Sequence, residues 1–222
     1  MASSRTQLRD DAAAHIRELI ISGQVAPGTL IRLAPLAERI RASITPVREA
    51  LLLLTQDGWL VQEPNRGFRV ASLLREDVRD AYLVYAFAAG ELARRAAPLV
   101  GELEIAQMRK LDEEMQALGA GDDEHHVEEL NYKLHDIIWH ASDSPRLLWL
   151  VNAASRFVPR RFWPTIPGWV EFNLAGHRPI INALELGDPD ASGQLMSEHI
   201  SRAGELLMSH LDATGFWTRQ AD

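Results

Sequence analysis

Four side chains in the C-terminal part of the chain have the types and spacing of a metal site. Asn131 and His135 are four residues apart, so on a helix they point the same way. His177 and His199 each lie in the middle of a later stretch with helical spacing. Antiparallel neighbouring helices can bring all four to one point, where three imidazoles and an amide oxygen suit Zn²⁺, Ni²⁺ or a similar divalent ion.

Chance is the alternative explanation for this pattern. The chain has eight histidines, so triples arise without any function. A histidine within a helix is more often a packed core or surface residue than a ligand. We give that interpretation to the other five: His15, His125, His126, His140 and His210. From the residues alone, His135, His177 and His199 can be either metal ligands or packed residues without a ligand role.

A helix near the N-terminus carries a second group of polar residues. Its apolar residues fall at i, i+3, i+4 and i+7 and share one face: Val47, Ala50, Leu51 and Leu54. Ser43 and Thr45 are good N-cap residues, and Pro46 sits in the first turn, where a missing N–H costs nothing. Asp57 and Gly58 end the helix.

The segments around this helix predict a winged helix-turn-helix. A short apolar stripe at helical spacing, Leu36, Ala37 and Ile40, precedes it. Two extended runs, 59–63 and 68–71, follow it and are joined by residues 64–67, which have the composition of a hairpin turn. In this architecture the second helix enters a DNA major groove with its N-terminal end first.

The predicted DNA contacts come from the start of that helix and from the hairpin tip. Thr45 and Arg48 project away from the apolar face, and Arg48 can bind guanine O6 and N7 or a phosphate. Ser43 and the first backbone amides suit phosphate oxygens. The hairpin tip supplies Asn65, Arg66 and Gly67. The alternative for both arginines is an ordinary solvated surface charge.

Five stretches carry a resemblance to a known family. In order they are GQVAPGTLI, PLAERI, TPVREAL, DGWLV and NRGFRV. They resemble the DNA-binding domain of GntR-family bacterial transcription regulators in order and spacing. The sequence departs from that family's pattern where Ile44 and Ala34 stand in place of arginines and where Leu52 and Leu53 replace commonly polar or basic residues. Arg41 occupies the place of a turn glycine and adds a charge there, so operator specificity does not transfer from relatives.

The region from Asp77 to His210 resembles the FCD ligand-binding domain of the FadR subfamily. The matching pieces are NYKLH at 131–135, HRPIINALELGD at 177–188 and the late His199. The resemblance implies that Asn131, His135, His177 and His199 coordinate a metal whose open positions face a small-acid effector. The family more often has Asp in the place of Asn131. A neutral amide predicts weaker metal retention and a stronger attraction for an anion.

The same resemblance implies three effector contacts. Arg156 and Arg160, four apart on a predicted helix, lie where the family places an arginine against the effector carboxylate, which a guanidinium fork binds through two hydrogen bonds. Their alternative role is that of surface arginines on an amphipathic helix. Tyr85 and Ala89 replace an R-x-x-L-E pattern, and Tyr85 is a candidate lining residue of a modified pocket.

Helical spacing recurs from residue 75 onward and predicts six helices joined by short loops. We expect them at 75–97, 102–118, 122–141, 145–161, 169–186 and 189–210, with a loosely held tail at 211–222. The predicted fold is therefore mainly α: a winged helix-turn-helix domain at 1–72, then an all-helical antiparallel bundle at 73–222. Residues 1–72 have a net charge of +2 and residues 73–222 of −10, as suits a DNA-binding head on an acidic body.

Composition restricts the remaining possibilities. The 222-residue chain is 46% hydrophobic and contains no cysteine, which excludes disulfides, thiolate metal sites and cysteine nucleophiles. With a mean hydropathy of −0.14, no membrane-length apolar run and no apolar signal core at the N-terminus, we expect a cytoplasmic protein.

Three hypotheses follow for the function. The first is a homodimeric transcription regulator that binds operator DNA and acts as a repressor. It would bind a divalent metal and respond to a small organic acid. The second is a metal-dependent enzyme built on the bundle, although no acidic residue occupies an obvious general-base position beside the histidines. The third is a metal-free dimerisation module.

Overall fold

Two compact units make up the chain. The computed structural model describes residues 2–64, 66–119, 121 and 123–217, with the side chains of residues 2–5 excepted. One unit comprises Met1–Asp77 with Leu211–Asp222, and the other comprises Val78–His210. The predicted fold class is confirmed: a winged helix-turn-helix precedes an all-helical bundle. The predicted boundary between residues 72 and 73 stays a prediction.

The first unit combines three helices with a small antiparallel sheet. Its elements, in chain order, are α1 (Ala2–Ile21), β1 (Leu30–Ile31), α2 (Leu33–Arg39), α3 (Ile44–Gln56), β2 (Leu60–Glu63) and β3 (Gly67–Val70). The strands lie in the order β1-β3-β2, with Leu30 opposite Arg69 and Leu60 opposite Val70. Strand β1 was not predicted, because two residues are too few to show an alternating pattern.

Helix α3 packs against α1 through the predicted apolar face. Val47, Ala50, Leu51 and Leu54 are fully buried. At the far end of α3, Asp57 accepts a hydrogen bond from the buried Arg17 of α1. The orientation of α3 is therefore determined by its apolar face together with this ion pair.

Glycine is required at the end of the wing hairpin. Gly67 has a φ of +106°, and a Cβ at this position would lie 3.1 Å from the carbonyl oxygen of Ile31. A side chain would therefore meet both backbone strain and the neighbouring strand. The predicted contact residue Asn65, two positions earlier, lies outside the described residues.

The bundle contains six helices within the described residues. They are α4 (Arg75–Ala96), α5 (Glu102–Leu118), α6 (Glu124–Ala141), α7 (Pro145–Ser155), α8 (Trp169–Glu185) and α9 (Pro189–Ala213). Helix α5 packs against α6 and α8. Among the described residues, no helix combines the length and the apolar character that a bilayer crossing requires.

Two details of the prediction are wrong. Helix α7 ends at Ser155 rather than at residue 161, and a 3₁₀ helix follows at Arg160–Thr165. The chain therefore leaves the α7 axis before Arg160, because Pro159 has no N–H to donate and restricts the residue before it. In the tail, Leu211 and Phe216 are buried, so residues 211–217 are not loosely held, while residues 218–222 lie outside the described residues. Helical periodicity alone did not predict that the apolar side chains of the tail would be buried.

Arg41 adopts a left-handed conformation, with a φ of +53°. Replacement by glycine should raise the free energy of unfolding by about 0.5–1 kcal/mol, because glycine relieves the Cβ strain but has greater chain entropy when unfolded. Urea denaturation measures this difference. Arg41→Ala is the control, since it removes the same charge and keeps the Cβ. Equal stability of the two variants would contradict the strain argument.

Candidate nucleic-acid interface and metal centre

The N-terminal end of α3 is exposed to solvent, and its capping hydroxyl makes no hydrogen bond to the helix. Ser43 occupies the N-cap position, with extended φ and ψ of −74° and 157°, and its hydroxyl makes no capping hydrogen bond. Ser43, Thr45 and Arg48 are all exposed. The Ser43 hydroxyl thus leaves the N–H groups of Ile44 and Thr45 uncapped at the positive end of the helix, an arrangement that favours an anionic oxygen.

Three arginines line one open cleft between α3 and the wing. Arg48 comes from α3, Arg66 from the hairpin tip, and Arg32 from the residue immediately before α2. All three side chains are exposed. Within the described part of the chain, none of the three guanidinium groups has a hydrogen bond or a salt bridge, and no acidic residue lines the cleft, although the charge of Arg66 lowers the pKa of Glu63 beside it. The cleft is therefore a concentrated positive surface on a chain whose net charge is −8.

Arg32 was missed from the sequence. It belongs to no helical or alternating pattern, and only the antiparallel pairing of β1 with β3 brings it beside the wing. The nearby Arg69 is different, because its guanidinium donates to Glu63 at 2.5 Å. That hydrogen bond lowers the pKa of Glu63 and raises that of Arg69. Arg69 is thereby held within the hairpin.

The bundle brings three of the predicted metal ligands together. His135 of α6, His177 of α8 and His199 of α9 are buried, and their ligand nitrogens all lie within 4.8 Å of one another. The Nε2 atoms of His135 and His177 are 3.3 Å apart. Two ligand nitrogens at the Zn–N bond length in a tetrahedral site are separated by about 3.3–3.4 Å. This pair therefore has a separation suited to a shared ion.

Three of the four predicted ligand residues carry a buried polar atom without a hydrogen-bond partner. The Oδ1 of Asn131 and the Nδ1 atoms of His177 and His199 are buried without a hydrogen-bond partner. Asn131 lies one turn before His135 on α6, as the spacing predicted. Buried polar atoms without partners are rare in proteins and need an explanation. A divalent cation accepts a lone pair from one nitrogen of each imidazole and from the amide oxygen of Asn131, so the chemistry of these residues fits a metal.

The histidines are neutral at neutral pH. Burial lowers the pKa of His135 to about 4 and that of His199 to about 3. The pKa of His177 is also well below its usual value, first because of burial and then because of the neighbouring His199 and His135. A neutral imidazole keeps a lone pair, which is the form that binds metals. No Asp or Glu belongs to this cluster among the residues described.

His199 is held in place by two residues that sequence reasoning did not single out. The ring of Phe172 stacks on it, with centroids 4.8 Å apart and an interplanar angle of 11°. Gly176 leaves room for it, because a Cβ there would lie 2.5 Å from Nδ1 of His199. A glycine in the interior of α8 is unfavourable for the helix. This unfavourable choice of residue is the feature of the sequence that could have identified Gly176.

The three predicted effector residues differ in exposure and in their partners. Arg160 donates two hydrogen bonds to the buried Glu128, at 2.7 Å and 2.6 Å, and its guanidinium lies 3.8 Å from the centre of the Tyr132 ring. Burial raises the pKa of Glu128, and the Arg160 hydrogen bonds oppose that effect. Tyr85 is half-buried, and burial together with Glu128 raises its pKa. Arg156 is exposed and donates to the Asn152 carbonyl.

Family comparisons agree with both halves of this geometry. The model of the bacterial regulatory proteins of the GntR family matches residues 8–70, and the FCD domain model matches residues 84–202. The chain is a GntR-family transcription regulator with an FCD domain. The first match covers α3 and the wing, and the second covers the three buried histidines. The GntR-family regulator is thus a DNA-binding protein whose family consists of regulators rather than enzymes.

Individual relatives span nearly the whole regulator. A probable D-xylose utilization operon transcriptional repressor of Paenarthrobacter nicotinovorans is 26% identical over 90% of each chain. The transcriptional repressor RspR of Escherichia coli K12 is 26% identical over 91% of this chain and 90% of its own. The solved structure of E. coli McbR/YncC has a TM-score of 0.71, covers 94% of this chain and 99% of its own, and at 22% identity shows the fold alone.

The contact between Gly176 and His199 can be tested without any metal. Gly176→Ala should lower the free energy of unfolding by about 1–2 kcal/mol, because the overpacking cost exceeds the gain in helix propensity. In a His199→Ala background the ring is gone, so the same change should be neutral or stabilising by up to about 1 kcal/mol. Urea denaturation in a chelator gives the double-mutant cycle. Equal effects in both backgrounds would show that the ring does not require the glycine.

Proposed function

We propose that this regulator is a homodimeric repressor that binds operator DNA through the arginine-lined cleft and the start of α3. A divalent metal and a small carboxylic acid in the bundle would modulate that binding. The observation that carries the proposal is the set of unpaired guanidinium groups of Arg32, Arg48 and Arg66 around one cleft. Such groups supply the phosphate attraction that underlies DNA binding and its dependence on salt.

Contacts with the duplex divide into two kinds under this proposal. Arg48, with Thr45 beside it, enters the major groove, where an arginine binds guanine O6 and N7. Ser43, Arg32 and Arg66 contact phosphates and set the register of the helix. Arg41, in the turn before α3, adds a further positive charge, and the wing tip with Asn65 and Gly67 approaches the adjacent groove.

Repression and dimerisation are proposed from different observations. Repression is proposed because, of the two relatives described above, one is a probable operon repressor and the other is a transcriptional repressor. For the dimer, α4 exposes a stripe of apolar side chains, with Leu83 at 67% exposure, Val84 at 52% and Phe87 at 72%. A second copy packed on this stripe would give the two-fold symmetry that pairs two recognition helices with a near-palindromic operator.

Sedimentation equilibrium at micromolar protein tests the proposed dimer, and a 24.8 kDa species alone would exclude it.

Asn131, His135, His177 and His199 would hold the metal in the bundle. Zn²⁺ and Ni²⁺ suit this nitrogen-rich, carboxylate-free set. A bound ion would supply an electrophilic centre for an effector carboxylate. Because Asn131 is neutral, the four ligands leave the full double charge of the ion uncompensated, which weakens metal retention and strengthens attraction for an anion.

The effector carboxylate would compete with Glu128 for Arg160. Both oxygens of Glu128 occupy the Arg160 guanidinium fork, as an external carboxylate would. Tyr85 and the exposed Arg156 are the further candidates for effector contacts. The effector would change operator affinity only to the extent that it binds the DNA-competent and incompetent arrangements of the dimer differently. The protein would act in the cytoplasm, where its operator is.

DNA binding is tested by footprinting on the DNA that flanks the protein's own gene. Arg48→Ala and Arg66→Ala should each lower affinity by about tenfold or more. A lost phosphate contact should also reduce the slope of log affinity against log salt by about one. Arg146→Ala, which removes an exposed arginine of the bundle, is the matched control and should bind as the wild type does. Wild-type binding by all three variants would refute the proposed interface.

Metal binding is tested by restoring a carboxylate. Asn131→Asp should raise Zn²⁺ and Ni²⁺ affinity by about tenfold or more, since an added ligand charge strengthens cation binding. Competition against a chelating dye measures the change. Asn152→Asp is the control, because it adds the same charge at an exposed position of α7. An equal gain in both variants would indicate a general charge effect and would count against these ligands.

The role of Arg160 is tested by removing its internal partner. Glu128→Gln keeps the side-chain size and frees the guanidinium, so zinc-loaded protein should bind small mono- or dicarboxylic acids about tenfold more tightly. Calorimetric titration of a panel of such acids measures this. Glu129→Gln removes a charge from the exposed neighbouring position and serves as the control. An unchanged affinity in Glu128→Gln would exclude Arg160 from the effector site.

A further inference from the structure

The solvent face of α3 carries apolar side chains where a DNA-binding helix is expected to be polar. Ile44 is 49% exposed and Leu52 is 42% exposed. Together with Arg48 they stand at i, i+4 and i+8, so the three side chains form one stripe along the helix. The opposite face of the same helix is fully buried. These two side chains are therefore left outside the core although α3 packs tightly.

The exposed residues next to Ile44 in the chain and one turn along the helix are polar or basic. Its exposed neighbours in the chain are Ser43 and Thr45, and Arg48 follows one turn later. Arg41 is exposed just before it. Single exposed apolar residues are common, but this one is the first residue of α3, at the end that the proposed function places in the major groove. A partner that covers it must be strongly anionic around an apolar point of contact.

A duplex offers that combination in its major groove. Phosphates flank the groove, and each A·T pair places the thymine C5-methyl group on its floor. An isoleucine has no donor or acceptor, so it cannot read hydrogen-bonding groups on base edges. It can distinguish bases only by the apolar surface they present, and the thymine methyl is the largest such surface.

We propose that Ile44 is a specificity-determining residue that reads the C5-methyl of a thymine in each half-site. Arg48, one turn further along the stripe, binds the neighbouring part of the same half-site. This inference rests on the proposed DNA-binding function and adds a base preference to it. The contact is with the methyl group rather than with the base pair, so 5-methylcytosine should satisfy it as well.

The test begins with selection of a binding site from a random duplex library by the full-length protein. Each thymine of the recovered site is then replaced by deoxyuridine, which removes only the methyl group. One position per half-site should lower wild-type affinity by about fourfold, the value of one buried methyl group. At that position, replacing the A·T pair by a G·C pair should weaken binding, and 5-methylation of the cytosine should recover about fourfold.

Variants assign the effect to Ile44. Ile44→Ala should lose the sensitivity to deoxyuridine at that one position and bind the thymine and deoxyuridine duplexes equally. Leu52→Ala is the matched control, since it removes another exposed apolar side chain of the same stripe and should keep the wild-type sensitivity.

The outcomes separate this inference from the function on which it rests. If a site is recovered and Arg48→Ala weakens its binding, but the deoxyuridine scan is flat or is unchanged in Ile44→Ala, the methyl contact is wrong and the regulator stands. If the library yields no enriched sequence, the proposed DNA-binding function fails and the methyl contact fails with it.

Discussion

The DNA-binding half of the molecule depends on the burial of one face of α3. Val47, Ala50, Leu51 and Leu54 are removed from water completely, and burial of each larger aliphatic side chain contributes about 1.5–3 kcal/mol. A rotation of α3 about its axis would expose these groups. The same contacts therefore determine which residues cannot be buried, and Ile44, Thr45 and Arg48 face solvent as a consequence.

The histidine cluster of the bundle depends on the burial of polar rather than apolar groups. Burial keeps the three rings neutral, and it leaves buried nitrogen and oxygen atoms without partners. Each buried polar group without a partner lowers the free energy of unfolding by about 1–3 kcal/mol. The metal-free fold therefore contains several destabilising groups at this one site. In most proteins such a cost is accepted at functional sites. The room around His199 is likewise obtained by placing Gly176 inside a helix.

Local chemistry made most of the fold predictable. The limits of α4, α5 and α8 agree with expectation to within a residue or two, because proline, glycine and helix-capping residues mark the ends. The end of α7 was predicted wrongly, because the apolar pattern continues beyond Pro159 although the backbone does not. As a result, Arg156 and Arg160 do not share a helix face, and Arg160 instead bonds Glu128. That pairing joins residues 32 positions apart, which no local pattern reports.

By itself, the sequence determined the order of the α-helices and the two strands of the wing hairpin, the buried face of α3 and the spacing of Asn131 and His135. These features depend on interactions within a few residues, which periodicity and capping express directly. Only the tertiary structure decided that Arg32 joins Arg48 and Arg66 around one cleft, that three distant histidines meet, and that Glu128 occupies Arg160. Those contacts join residues far apart in the chain, and their partners are selected by how whole helices and strands pack.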